Sequence, residues 1–259
     1  MNIFDVHIKN GEVIDGTGAP KFKSDIVIDK GKIIGVFPAE NGDVRDPSEN
    51  HFLSNFRAKH TINAENKIIS PGFIDVHTHD DDNVFLDPSM SSKISQGVTT
   101  CVAGNCGISL APFSYKGEVP APIALLGKPE VFRFPRVSDY KEEFNNKPSS
   151  VNLALLTGHS MLRLEAMNGE FARPATTKEI SKMIDKLKLA LEDGSIGLST
   201  GLAYPAANDA PTSEIIELAK ILPEFDGIFT THMRNEAVDV IKSVNETINI
   251  SYTAKFRNV

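Results

Sequence analysis

The stretch Lys67-Ile68-Ile69-Ser70-Pro71-Gly72-Phe73-Ile74-Asp75-Val76-His77-Thr78-His79-Asp80-Asp81-Asp82 decides how the rest of the chain is read. A short apolar run leads into two histidines one residue apart and then into three carboxylates. Alternate side chains of an extended strand share a face, so His77 and His79 are expected on one side and Thr78 on the other. Two imidazoles on one face at a strand end can reach a single metal ion. The competing reading is a pair of exposed histidines before an acidic turn. Further candidate ligands downstream favour the metal.

After Lys67, short apolar runs alternate with helical patterns, the signature of βα units and a parallel sheet. Strands are expected over residues 68–76, 99–103, 151–156, 196–199 and 227–231. Helices are expected near 88–95, 178–192, 213–221 and 236–250, the second capped by Thr176 or Thr177 with Glu179 behind it. A proline- and phenylalanine-rich loop spans 112–148, with room for one short helix.

Residues 1–65 read as a small all-β unit. One hairpin is expected over 4–14 around Asn10-Gly11, and another at Asp29-Lys30-Gly31. The polar stretch 38–59 reads as a loop, with His51 and His60 as surface histidines and His7 as structural. Residues 66–259 then hold five βα units. A closed (β/α)8 barrel takes about 250 residues by itself. The choice is an open five-stranded sheet or the front part of a longer barrel.

Functional side chains of a parallel α/β barrel sit at the C-terminal ends of its strands. His77 and His79 end the first expected strand, Cys106 follows the second, His159 follows the third and His232 ends the fifth. Four of the seven histidines and one of the two cysteines therefore fall on one rim. Cys106 lies in Gly104-Asn105-Cys106-Gly107, where flanking glycines let the backbone bend and bring the sulfur close to an ion. Cys101, inside the apolar strand, reads as a buried structural thiol on the opposite face, unable to bridge to Cys106. Free thiols fit a reducing cytoplasm. The run Asp80-Asp81-Asp82 reads as solvated or helix-capping.

A net charge of -7 from scattered acids gives no nucleic-acid-binding face. No apolar run approaches the roughly 20 residues that span a bilayer. The N-terminus lacks the basic and apolar blocks of a signal peptide.

The run from Ser70 through His77 and His79 to Asp82 resembles the first barrel strand of the amidohydrolase superfamily. Residues 93–100 and Gly104-Asn105-Cys106-Gly107-Ile108-Ser109 resemble more specifically the D-aminoacylase (N-acyl-D-amino-acid deacylase) family. The resemblance covers nearly the whole chain. It implies an α/β fold: a partial (β/α)8 TIM-type metal-dependent hydrolase barrel over 66–259, preceded by a β unit over 1–65 that belongs to a composite β-sandwich. It also implies zinc held by His77, His79, Cys106 and His232, the last in Thr230-Thr231-His232-Met233-Arg234. His159 resembles a family position near the site, either supporting a ligand or packing as a buried polar group. Tyr204 could line a substrate pocket or pack its loop.

The implied reaction is hydrolysis of the amide of an N-acyl-D-amino acid, a small-molecule substrate, with a carboxylate shuttling the proton to the leaving amine. The resemblance puts that aspartate, a second metal histidine and a substrate-binding arginine beyond Val259, and implies that the 259-residue piece is inactive alone. Two alternatives stay open. One is a cyclic-amide hydrolase of the dihydroorotase or hydantoinase type, whose bridging ligand is commonly a carboxylated lysine rather than a cysteine. The other is a non-catalytic protein that keeps a remnant metal site.

Overall fold

The Asn10-Gly11 pair does not turn the chain in the computed structural model, which describes residues 2–38, 55–115, 120–121 and 123–256. β1 (Asn2–Val13) passes straight through it. Asn10 takes a φ of 64°, and the register against β2 (Phe22–Asp29) slips between Ile8 and Gly11, so the pair forms a bulge. A Cβ on Gly11 would meet Ile69 Cδ1 at 2.2 Å, so a larger residue there would require the Ile69 side chain to shift. A bulge and a two-residue turn use the same backbone freedom, and strand partners on both sides of β1 decide for the bulge. The second expected hairpin is present. Lys30 and Gly31, with φ of 49° and 74°, join β2 to β3 (Lys32–Pro38).

β4 (Phe56–Asn63) and β5 (Ile68–Ile69) both pair with β1 in parallel, and the sheet runs β3-β2-β1-β4 with β5 also on β1. Phe56 to Lys59, expected in a loop, are thus strand. His7 is buried against Asp25 at 2.9 Å, and His60 is exposed on β4. His51 and most of the 38–59 stretch lie outside the described residues. This sheet belongs to the first of two compact units, Met1–Gly72; the second is Phe73–Val259.

In the second unit the strand expected over 68–76 survives only as β6 (Phe73–Asp75). Pro71 has no N–H to give to a ladder and interrupts the run after β5. Two short helices, α1 (Asn83–Leu86) and α2 (Ser91–Ile94), lead to β7 (Val98–Ala103), which pairs with β6 in parallel. The long loop contains an antiparallel pair, β8 (Phe113–Ser114) with β9 (Arg133–Phe134), and then α3 (Val137–Asn146). β10 (Asn152–Leu155) joins the other edge of β7. Past Leu156 the same segment continues as β11 (Thr157–Gly158), which pairs with β12 (Gly197–Gly201), and β12 pairs with β13 (Ile228–His232). Backbone bonds from Ile196 N to Leu155 O (2.8 Å) and from Leu156 N to Ala103 O (2.9 Å) stitch the two three-stranded groups together.

Helices α4 (His159–Ala166), α5 (Thr177–Glu192), α6 (Thr212–Ala219) and α7 (Val240–Ala254) fill the connections. α5 opens as expected: Thr176 accepts from Glu179 N–H and Glu179 accepts from Thr176 N–H at 2.8 Å. α4 was not expected from sequence. Seven of its eight residues are buried, all but Glu165, so no polar face marks it as a helix. The apolar side chains gather in two clusters, one around Leu110, Phe113 and Tyr140, the other around Leu187, Leu198 and Phe229. Among the described residues no helix is long and apolar enough to cross a membrane.

Candidate metal centre

Thr78 sets the direction of both histidines. Its N–H and its hydroxyl each donate to Val102 O, at 3.0 and 3.2 Å, which buries Thr78 and turns His77 and His79 out on the other side. The face alternation read from the sequence is therefore present, although the residues after Asp75 are no longer in a ladder.

Cys106 is placed by a tight turn after β7. Gly104 and Gly107 have φ of +79° and +75°, and Cys106 itself sits at 56°. A Cβ on Gly104 would lie 2.1 Å from Leu156 O, and one on Gly107 would lie 2.8 Å from Gly201 N. Ser199 on β12 clasps the turn, accepting from Gly107 N at 3.0 Å and donating to Gly104 O. Gly104→Ala is expected to cost about 2–3 kcal/mol, a fall of roughly 5–10 °C in a thermal melt. A melt unchanged from the parent protein would mean that the turn relaxes freely.

These segments bring three donors together. His77 Nε2 lies 3.1 Å from Cys106 Sγ, and the donor atoms of His77, His79 and Cys106 all lie within 4.8 Å of one another. A tetrahedral zinc ion with its usual bond lengths spaces its donors roughly 3.5 Å apart. His232, at the end of β13, is not part of that group of three; its Nδ1 lies 3.8 Å from Cys106 Sγ and 3.0 Å from the Tyr204 hydroxyl. Its Nε2 lies 3.5 Å from Glu236 Oε1.

Partial desolvation of the ring lowers the pKa of His79, and the neighbouring His77 adds to it. Burial raises the Cys106 thiol, with Glu236 adding and the Tyr204 hydroxyl opposing. Burial also raises Tyr204. Neutral imidazole is the form that ligates, and a divalent cation would draw the proton from the thiol. The donor chemistry fits a borderline-soft ion such as zinc.

The acidic run is not solvated. Asp81 is fully buried and Asp82 nearly so. Burial pushes Asp81 up to about 7, although N–H bonds from Gly104 and Leu110 pull the other way. Asp80 and Asp75 share Lys93, at 3.1 and 2.8 Å. A run of carboxylates reads alike in a sequence whether water or a folded turn surrounds it. The sequence alone also does not single out Asn105, whose partner Thr230 comes from a distant segment, or Glu236, whose neighbour His232 lies four residues before it.

His159 does not join the donor cluster. It is fully buried on α4, with Nε2 3.0 Å from Glu214 Oε1. Glu214, also fully buried, takes both of its oxygens to Arg163, one at 2.7 Å. Burial lowers the His159 pKa, so the neutral ring donates from Nε2. Burial raises Glu214, but His159 and Arg163 outweigh it and hold the carboxyl down at about 2.

A profile of the amidohydrolase family matches residues 60–255. The chain is 40% identical over 248 residues to D-aminoacylase from Alcaligenes xylosoxydans xylosoxydans, covering 95% of this chain and 48% of that protein. A crystal structure of D-aminoacylase superposes with a TM-score of 0.88 at 41% identity, over 98% of this chain and 50% of that one. N-acyl-D-glutamate deacylase from Bordetella bronchiseptica, complexed with zinc and a phosphonate mimic of the tetrahedral intermediate, superposes with a TM-score of 0.88 at 37% identity, over 99% and 51% of the two chains. The chain spans about half the length of the curated relatives it matches, 48% in the case of D-aminoacylase. Its fold is the amidohydrolase-superfamily fold as D-aminoacylase structures display it. A profile match over most of its length, together with these identities, makes the chain a member of the amidohydrolase family.

Proposed function

We propose that the whole protein hydrolyses the amide bond of N-acyl-D-amino acids, with zinc held by His77, His79, Cys106 and His232. The observation that carries this is the convergence of the His77, His79 and Cys106 donor atoms within 4.8 Å, in a chain 40% identical to D-aminoacylase. Zinc supplies Lewis-acid polarisation of the amide carbonyl and a nucleophile at neutral pH. The chain's own contribution is orientation. Tyr204 steadies the His232 ring through its hydroxyl and, in this reading, would line the substrate pocket. His159 supports the site indirectly, by fixing the start of α4 against α6 through Glu214. No carboxylate among the described residues joins the donor cluster, so the proton transfer to the leaving amine is given no residue here.

We read the second unit as consecutive βα units of a (β/α)8 barrel and the first as part of a composite β-sandwich; the boundary expected from sequence, 65/66, falls a few residues before the division of the units at Gly72/Phe73. The parallel order β6-β7-β10, continued by β11-β12-β13 in chain order with helices between, supports the barrel. Two buried free cysteines fit a reducing, cytoplasmic setting. The thiol at Cys106 and relatives named D-aminoacylase and N-acyl-D-aspartate deacylase favour this reading over a cyclic-amide hydrolase. They also favour it over a non-catalytic remnant.

The test is release of free amino acid from N-acetyl-D- and N-acetyl-L-amino acids by the whole protein. Turnover of the D form is expected, lost on chelation and restored by zinc. A folded, zinc-loaded protein that cleaves only cyclic amides, or nothing, would overturn the assignment.

A further inference from the structure

We propose that Asp81 and Asn105, neither of them a donor in the cluster, form a buried brace that sets the spacing of the ligand-bearing segments. The inference rests on the metal-binding reading above.

His77 and His79 are exposed, so packing does not hold their rings, and their separation from the sulfur depends on where the backbone is anchored. Three segments carry the ligands, and two side chains connect them. Asp81, two residues after His79, accepts from Gly104 N at 3.3 Å and from Leu110 N at 3.4 Å, one on each side of Cys106. Asn105, next to Cys106, donates from Nδ2 to Val102 O at 2.9 Å and to Val76 O at 3.4 Å, the carbonyl just before His77. Its Oδ1 accepts from Thr230 Oγ1 at 3.4 Å, two residues before His232. One carboxylate and one amide thus join the His77–His79 segment, the Cys106 turn and β13.

Asp81 is 0% exposed and Asn105 is 1% exposed. Water does not replace a lost bond at such depth, and a buried acid is costly unless its acceptors are needed. Helix capping does not account for Asp81: the cap of α1 is Asp82, which makes no side-chain bond to it. Nor does the contact with Tyr140, whose hydroxyl donates at 2.5 Å to the Asp81 main-chain oxygen and leaves the carboxylate free for the turn.

The experiment compares Asp81→Asn, Asn105→Asp and Tyr140→Phe with the parent protein. Asp81→Asn turns one acceptor into a donor facing a donor. Asn105→Asp sets an oxygen against Val102 O and Val76 O. Tyr140→Phe removes a bond to the same segment while sparing the brace. Zinc affinity is read by chelator competition, and cobalt(II) substitution reads sulfur ligation from the thiolate-to-metal charge-transfer absorption. The first two variants are expected to bind zinc about 10–100-fold more weakly, with a shifted or diminished charge-transfer band. Tyr140→Phe is expected to melt earlier with affinity and band unchanged.

Parent-like affinity and band in both brace variants would overturn the proposal. A parent protein that binds neither metal would instead overturn the metal-centre reading, and the brace with it. Should the variants fail to fold, amide hydrogen exchange in the parent protein decides. Zinc is expected to slow exchange at Gly104 and Leu110, and unchanged rates at both would refute the brace.

Discussion

Cys106→Ala is expected to weaken zinc binding by more than about 100-fold, while Cys101→Ala leaves it unchanged. Supporting residues that touch no metal already cost 10–100-fold when removed, so a shared donor should cost more. Cys106 Sγ would be that shared donor, lying 3.1 Å from His77 Nε2 and 3.8 Å from His232 Nδ1. Without it His77 and His79 lose the third donor of their group, while His232 stays held by Tyr204. Cys101 is also fully buried, but within β7 and the apolar cluster, where it acts as a small hydrophobe. Competition titration of the two variants decides, and equal losses would mean that the wrong thiol carries the metal.

Arg163→Met is expected to destabilise the second unit by about 3–5 kcal/mol, because it leaves the fully buried Glu214 carboxylate without its permanent cation. The same change strips donors from three main-chain oxygens, those of Ala206, Phe171 and Arg173. Glu214→Gln should also be destabilising, since it leaves the fully buried Arg163 guanidinium without its counter-charge. The pair also fixes the direction of acid sensitivity. Against burial, His159 and Arg163 hold Glu214 at about 2, below its ordinary 4.5. Its contribution is therefore complete above pH 4.5 and is lost as pH falls toward 2. His159 adds to this, since burial lowers its pKa and below its ordinary 6.5 the unfolded imidazole takes up a proton that the buried ring refuses. Melts from pH 7 to pH 3 should thus fall more steeply for the parent than for Glu214→Gln; equal slopes would put the acid sensitivity elsewhere.

The parts of the site that could be read from sequence are those that depend on local geometry. A spacing of two puts His77 and His79 on one face, and glycines around Cys106 announce a turn. Apolar runs of strand length found β7, β10, β12 and β13 to within a few residues. What could not be read depends on distant partners. The bulge at Asn10 is decided by strands paired on either side of β1, and α4 is hidden because it is buried nearly all round. Asp81 looked solvated because a sequence does not display the turn that folds over it, 23 residues further on. Asn105 links to Thr230 across 125 residues, a contact that no local pattern announces. Pro71, by contrast, was in plain view inside the expected strand and signalled the break between β5 and β6.

Zinc K-edge X-ray absorption on the zinc-loaded protein tests the metal centre most directly, because it reads the donor atoms without requiring turnover. The expected spectrum contains a sulfur at about 2.3 Å with nitrogens at about 2.0–2.1 Å, and the sulfur disappears in Cys106→Ala. A parent spectrum with only nitrogen and oxygen neighbours would contradict a centre built on His77, His79 and Cys106.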